Sequence, residues 1–261
     1  MIIHFYKYQG TGNDFILLDA RDSWFPVLST RHISSLCDRR FGIGADGLVL
    51  IRSHSRFDFT MSYFNSDGHE GTMCGNAGRC AVAFAKKIGI INNHGKFEGS
   101  DGIHEGWIQD DIVSLTMQPV KKIKFSEDHY ELNTGSPHYV KFVKNIETID
   151  VKKKGAVIRY SGAFGKKGIN VNFVSPYKKD GIYVRTYERG VEDETLSCGT
   201  GIVASAICAA MRSKTDKNSY PIFTRGGNLH IYFRRSGNQH FEDIILEGPA
   251  NFVFEGNIKI E

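Results

Sequence analysis

Two short phrases, Met73-Cys74-Gly75-Asn76-Ala77-Gly78 and Ser197-Cys198-Gly199-Thr200-Gly201, each place a cysteine just ahead of a glycine and a run of small residues. The pattern predicts a helix beginning at each Cys-Gly step. A thiol at that position faces the outward N–H groups of the first turn and the positive end of the helix dipole, both of which favour the thiolate. Since an ordinary cysteine titrates near about 8.5, a modest lowering lets such a pair hold one base and one acid near neutral pH. That combination suits inversion of a carbon centre: one sulfur removes a proton from one face while the other delivers a proton to the opposite face. The same N–H groups suit a substrate carboxylate and the charge that moves onto it when the α-proton leaves. Each preorganised donor of this kind is worth roughly 2.7–4 kcal/mol of barrier.

The other three cysteines serve as internal comparisons. Cys80 and Cys208 fall inside apolar helical runs and Cys37 in a helical stretch with no glycine after it, so all three read as packing residues. No Cys-x2-Cys pair exists, and the spacing Cys74-x5-Cys80 is a poor match to zinc ligation. A redox pair formed by the two Cys-Gly thiols stays open on spacing alone. Five cysteines, and a start without the basic and apolar regions of a signal peptide, point to a cytoplasmic protein with reduced thiols. The apolar run from Gly201 to Met211 is too short to span a bilayer. The net charge of +4 comes from scattered runs, Lys121-Lys122, Lys152-Lys153-Lys154, Lys166-Lys167 and Lys178-Lys179. These read as solvated loop lysines with a mild pull on anionic small molecules, and they argue against a nucleic-acid partner.

At 261 residues the chain makes one large domain or two of roughly 130 residues. Its 28 glycines against 6 prolines suit many tight turns between strands. Strands are expected at Ile2–Tyr8, Phe15–Asp19, Leu48–Arg52, Phe57–Asn65, Ile103–Gln109 and Val113–Met117, with helices at Arg31–Arg39 and Asn76–Ile88. Ala77, Ala81, Val82, Ala83, Phe84 and Ala85 lie nearly all around the second helix, which predicts a buried helix wrapped by sheet. After a crossing near Gln118–Lys122 the plan repeats. Strand-like runs at His138–Val143, Ala156–Tyr160, Asn170–Val174 and Ile182–Tyr187 precede the helix Gly201–Met211 and strands at Leu229–Arg234 and Asp243–Leu246. The two Cys-Gly phrases lie 124 residues apart, each with a glutamate four residues ahead, Glu70 and Glu194. An internal duplication explains this spacing.

Taken singly, the remaining polar residues have ordinary readings. Asn13 after Gly12 suits a left-handed turn, Asn65 and Asn170 suit strand ends, His138 suits a strand, and Glu188-Arg189 suits a solvated charge pair. Their order along the chain says more. Gln9-Gly10-Thr11-Gly12-Asn13-Asp14-Phe15, Arg39-Arg40-Phe41-Gly42-Ile43-Gly44-Ala45-Asp46-Gly47 and Phe64-Asn65-Ser66-Asp67-Gly68 lead to Met73-Cys74-Gly75-Asn76. Gly135-Ser136-Pro137-His138, Asn170-Val171-Asn172-Phe173-Val174 and Tyr187-Glu188-Arg189-Gly190 lead to Glu194-Thr195-Leu196-Ser197-Cys198-Gly199-Thr200-Gly201. Over nearly its whole length the chain resembles the diaminopimelate epimerases, pyridoxal-independent enzymes that interconvert LL- and meso-diaminopimelate on the route to lysine and peptidoglycan.

The resemblance implies an α+β fold of two pseudo-symmetric domains, each a curved mixed β-sheet wrapped around a central α-helix. Residues 1–118 would carry Cys74, residues 119–250 would carry Cys198, and the strand at 251–261 would return to the first domain, with the active site in the cleft between them. It implies that Cys74 and Cys198 are the acid–base pair, supported by His138 and Glu188. Gly75, Asn76, Gly199 and Thr200 would hold the reacting end of the substrate, with Asn13, Asn65, Asn170, Glu188 and Arg189 around it. No cofactor or metal is implied, and a homodimer is. Three departures stand out: Ser136 where many relatives have asparagine, Gly47 where some have glutamine, and one additional residue between Glu188 and Cys198. The rival readings are a proline or hydroxyproline type racemase of the same fold, an amino-acid-binding protein and a thiol redox protein.

Overall fold

Apolar side chains alternate along most of the extended segments, and the chain gathers them into two compact units, Met1–Leu115 with Gly248–Glu261, and Thr116–Glu247. The computed structural model describes residues 2–178, 180–213 and 216–260, so Lys179 of the last expected lysine run lies outside the described residues.

In unit 1 the elements run β1 (Ile2–Gly10), β2 (Asn13–Asp19), α1 (Thr30–Cys37), β3 (Gly47–Arg52), β4 (Phe59–Asn65), α2 (Gly75–Lys87), β5 (His94–Gly99), β6 (Gly102–Gln109) and β7 (Ile112–Met117). Unit 2 continues with β8 (Ile123–Ser126), β9 (His129–Asn133), β10 (Pro137–Phe142), α3 (Val151–Arg159), β11 (Asn170–Tyr177), β12 (Gly181–Glu188), β13 (Asp193–Thr195), α4 (Gly199–Ser213), β14 (Ser219–Thr224), β15 (Gly227–Arg235) and β16 (Phe241–Pro249). The last strand, β17 (Asn251–Lys259), pairs antiparallel with β1.

The strand pairings repeat. In unit 1 β1–β2 is antiparallel, β2–β3 parallel, β3–β4 antiparallel, β4–β5 parallel, and β5–β6 and β6–β7 antiparallel. In unit 2 β9–β10 is antiparallel, β10–β11 parallel, β11–β12 antiparallel, β12–β14 parallel, and β14–β15 and β15–β16 antiparallel. The duplication suggested by the Cys-Gly phrases therefore extends to whole sheets. Registers agree as well: Phe15 pairs with Gly47 in one unit as His138 pairs with Asn170 in the other. A constant 123 residues separates Phe15 from His138, Gly47 from Asn170, and Asn65 from Glu188, whereas 124 separate Cys74 from Cys198. The additional residue thus lies between the end of β12 and the second thiol.

Each sheet curls around one helix. Every residue of α2 from Gly75 to Ala85 is buried, as is every residue of α4 from Gly199 to Ala210. Burying a side chain such as Phe84 stabilises by roughly 1.5–3 kcal/mol. On the other face of each sheet a shorter helix packs: Ile33, Leu36 and Cys37 of α1 meet Ile16, Leu18, Leu48 and Leu50, and Val151 of α3 meets Val171, Phe173 and Tyr187. The segment Ala156–Tyr160, expected as a strand, is the second half of α3 and its C-cap. Asp150 caps that helix by accepting from the Lys153 N–H, and Lys152-Lys153-Lys154 lies on a helix, not in a loop. Among the described residues no helix is long and apolar enough to cross a membrane.

One ionic cluster ties the start of β2 to the loop before β3. The buried Lys7 pairs with Asp14 at 2.6 Å and also donates to the Gly44 carbonyl, while Arg39 reaches Asp14 at 2.5 Å and Asp46 at 2.7 Å. Burial raises the Asp14 pKa, but hydrogen bonds from Arg39 and Lys7 outweigh it and hold the carboxyl at about 2. A carboxyl depressed on folding contributes stability above its unfolded pKa, near about 3.9, and loses it as pH falls toward the folded value. Asp14→Asn should cost about 2 kcal/mol in urea unfolding at about pH 7, and the gap to wild type should shrink to roughly half by about pH 3. A gap that stays constant or widens with acid would contradict this account.

Candidate active site

In unit 1 the site begins with a two-residue hairpin. Thr11 and Gly12 both have positive φ, 52° and 82°, so the left-handed positions expected near Asn13 belong to its two predecessors. This turn sets Gly10 opposite Asn13 and makes Asn13 the first residue of β2. Cys74 occupies the N-cap of α2 with extended backbone, and its carbonyl accepts from the Gly78 N–H at 2.8 Å. Its Sγ donates to Asn13 Oδ1 at 3.8 Å, and Asn76 Nδ2 donates to the same oxygen at 3.2 Å. Asn13 Nδ2 donates in turn to Asp46 at 2.6 Å.

Below this group lies Arg79, fully buried. It donates to the Gly75 carbonyl at 3.2 Å, Asn76 Oδ1 at 3.0 Å, Thr11 Oγ1 at 3.4 Å and the Pro249 carbonyl at 3.4 Å. Burial lowers its pKa to about 10, which still leaves a cation at neutral pH. Sequence reading missed both Arg79 and Asp46. The available signal for Arg79 was a charged residue inside an otherwise apolar helix, and Asp46 stood within the motif ending at Gly47. Asn65, by contrast, is exposed at the end of β4, where its backbone closes the turn with His69 and Gly68, outside this hydrogen-bonded group.

In unit 2 the Cys198 carbonyl accepts from the Ile202 N–H at 2.9 Å, so the second thiol also immediately precedes its helix. Cys198 Sγ lies 3.7 Å from Thr200 Oγ1, which lies 2.9 Å from Nε2 of the wholly buried His138. Burial, aided by the charge of Arg189, lowers the His138 pKa to about 3 and keeps the ring neutral. A second group gathers at the start of β11. Asn170 Nδ2 donates to Ser136 Oγ at 2.9 Å, Asn170 Oδ1 accepts from the Arg189 backbone N–H at 2.8 Å, and the Arg189 guanidinium reaches Ser136 Oγ at 3.4 Å and the Lys167 carbonyl at 3.2 Å. Glu188 ends β12 beside Arg189. Unit 1 thus brings together Asn13, Cys74, Gly75 and Asn76, and unit 2 brings together Cys198, Gly199, Thr200 and His138 alongside Asn170, Glu188 and Arg189.

The other three thiols are buried. Burial pushes Cys37 and Cys80 up to about 12 and Cys208 well above its ordinary value, so none is a usable thiolate near neutral pH. Among the described residues no group of three or more His, Cys, Asp or Glu side chains is placed to hold a metal ion.

Residues 5–123 and 130–253 match the family described as diaminopimelate epimerase. The chain belongs to the diaminopimelate epimerase family. It is 52% identical over 254 residues to the diaminopimelate epimerase of Flavobacterium psychrophilum, covering 97% of this chain and 99% of that one. It is 40% identical over 262 residues to that of Chlorobaculum tepidum, covering 97% and 100%. Solved structures share the fold: a PhzF-family phenazine biosynthesis protein of Bacillus anthracis, with a TM-score of 0.76 at 14% identity over 100% of both chains, and a hydroxyproline epimerase of Agrobacterium vitis, with 0.70 at 12% over 98% and 92%.

Two of the departures from the family pattern have local explanations. At Gly47 an added Cβ would lie 2.5 Å from the Phe64 carbonyl oxygen and 2.6 Å from the Tyr63 ring, so Tyr63 fills the space that a longer side chain would need. Ser136 is buried and serves as a hydroxyl hub between Asn170 and Arg189. The paired glutamates have diverged. Glu70 is exposed and bridges to Phe64, whereas Glu194, at the matching place beside Tyr187, is held by Arg185 at 2.7 Å and Arg225 at 3.0 Å.

Gly201 packs on Asn172 and His138 with no space for a side chain, since a Cβ there would lie 2.3 Å from Asn172 Oδ1 and 3.3 Å from His138 Cε1. Gly201→Ala should therefore destabilise the protein by about 1–3 kcal/mol through overpacking, despite the better helix propensity of alanine. Equilibrium unfolding in urea checks it, and an unchanged or raised stability would show that the contact relaxes freely.

Proposed function

We propose that this protein epimerises LL-2,6-diaminopimelate to the meso isomer without pyridoxal or metal, supplying lysine and peptidoglycan precursors. The observation that carries the reading is family membership together with two thiols, each at the N-cap of a buried helix. One sulfur, as thiolate, takes the α-proton; the electron pair left on the α-carbon spreads onto the carboxylate; the other thiol returns a proton to the opposite face. First-turn N–H groups of Gly75, Asn76, Gly199 and Thr200 bind the carboxylate and stabilise its added charge. The reaction requires Cys74 and Cys198 to act on the same α-carbon. In this reading each unit is one epimerase domain.

The distal amino-acid end falls to Asn13, Asn65, Asn170, Glu188 and Arg189. A guanidinium binds a carboxylate and a glutamate accepts from an ammonium, a match to a second zwitterionic end that proline would not use. His138 and Glu188 support the catalytic pair. A cytoplasmic homodimer completes the proposal.

Incubation of LL-diaminopimelate in D2O should place solvent deuterium at the α-carbon as the meso isomer forms, with no added cofactor. Cys74→Ala and Cys198→Ala should each lower epimerisation by about 10²–10⁴-fold or more. Near wild-type rates in both variants would sink the two-thiol mechanism, and turnover of proline with none of diaminopimelate would sink the substrate assignment alone.

Removing the hydroxyl hub tests the distal pocket. Ser136→Ala should raise KM for diaminopimelate by about tenfold with a smaller effect on kcat, the cost of losing a hydrogen bond to a charged group. An unchanged KM would place Ser136 outside substrate binding.

A further inference from the structure

The hydrogen bonds behind Cys198 have a fixed direction. The Tyr139 carbonyl, which only accepts, takes a bond from Asn172 Nδ2 at 3.0 Å, and the Thr186 hydroxyl donates to Asn172 Oδ1 at 2.9 Å. The orientation of the Asn172 amide is thereby settled. Its Nδ2 also faces His138 Nδ1 at 3.1 Å, so Nδ1 must accept, and the proton of the neutral imidazole sits on Nε2. Nε2 therefore donates to Thr200 Oγ1 at 2.9 Å. The Thr200 hydroxyl, its oxygen already accepting from the ring, keeps its own hydrogen free to turn to Cys198 Sγ, 3.7 Å away.

We infer that Asn172, His138 and Thr200 form a one-way relay that presents a hydrogen-bond donor to Cys198 and so stabilises its thiolate. Asn172 and His138 act as positioning residues, and Thr200 is the group that touches the sulfur. A donor to the charged form favours that form. Cys74 meets the opposite polarity. The Asp46 carboxylate claims Asn13 Nδ2, so Asn13 turns its oxygen toward Cys74 and accepts from the thiol. Ionisable groups on the elements packed on α4 include His129 and Glu131 on β9, His138 on β10, Arg185 and Glu188 on β12 and His230 on β15, with Arg189 just beyond β12. Arg185 and Arg225 hold Glu194, and Arg189 bears on His138 by charge, disfavouring a second proton on the ring. The role of the relay in turnover rests on the two-thiol mechanism proposed above, but the hydrogen-bond direction does not.

The test reads the thiol directly. Iodoacetamide alkylation of the full-length protein, resolved by mass spectrometry at Cys198 and Cys74, is followed from about pH 5 to about pH 10 to give each thiol an apparent pKa. Thr200→Val should raise that of Cys198 by about one unit while leaving Cys74 in place, and Thr200→Ser should restore the wild-type profile. In the wild type, 15N NMR of the imidazole should show His138 protonated at Nε2 and bare at Nδ1 across neutral pH. A Cys198 profile unmoved by Thr200→Val, or a proton on Nδ1, would overturn the relay. None of these readouts needs turnover. Relay signatures without diaminopimelate epimerisation would remove the proposed function and keep the relay, and epimerisation without them would do the reverse.

Discussion

A helix that is buried along nearly its whole length still leaves one thing without an intrahelical partner, the N–H groups of its first turn. Both α2 and α4 are such helices, and each presents its first turn next to a cysteine at the N-cap position. The curled sheets, the small residues and the glycines at the helix starts all serve that constraint. Small side chains let the strands close around the helix, and a glycine directly follows each cysteine. The chemistry proposed for the protein uses backbone groups that the helix itself cannot satisfy.

The duplicated frame shows which parts of a site are scaffold and which are adjustable. At matching positions the two units carry Phe15 and His138, Gly47 and Asn170, Asn65 and Glu188, and Asn76 and Thr200. The thiols and the glycines that follow them are kept in both units. Arg79 stabilises the first helix start from beneath through neutral oxygens, while in the second unit the matching apolar Val203 leaves the task to the side chains of β10 and β11. Two copies of one backbone thus surround their sulfurs with different hydrogen-bond partners, the Asn13 amide oxygen beside Cys74 and the Thr200 hydroxyl beside Cys198.

Much of this was legible in the chain. The alternating strands, both buried helices and both thiol positions follow from local patterns, because a Cys-Gly step into small residues leaves few other structures. The segment Ala156–Tyr160 was misread, since a short β-branched apolar run fits a strand or a helix equally and the deciding cap, Asp150, lies six residues upstream. The short strands β8 and β13 and the glycine-bearing β5 carry too little alternation to announce themselves. At the site, Asn13, Asn170 and Arg189 stood out by motif order. Asn172 and Asp46 sat inside the same motifs, yet their roles depend on partners that meet only across paired strands and loops.

Arg79 carries one more implication. Among the described residues its hydrogen-bond partners are all neutral oxygens, so unit 1 encloses a desolvated cation directly behind the start of α2. Such a cation costs the fold stability, a cost that the carboxylate of the proposed substrate would relieve. Under the proposed function, part of the attraction for substrate is built in during folding, before any encounter, and an unliganded molecule less stable than its core would allow is the corollary of that readiness.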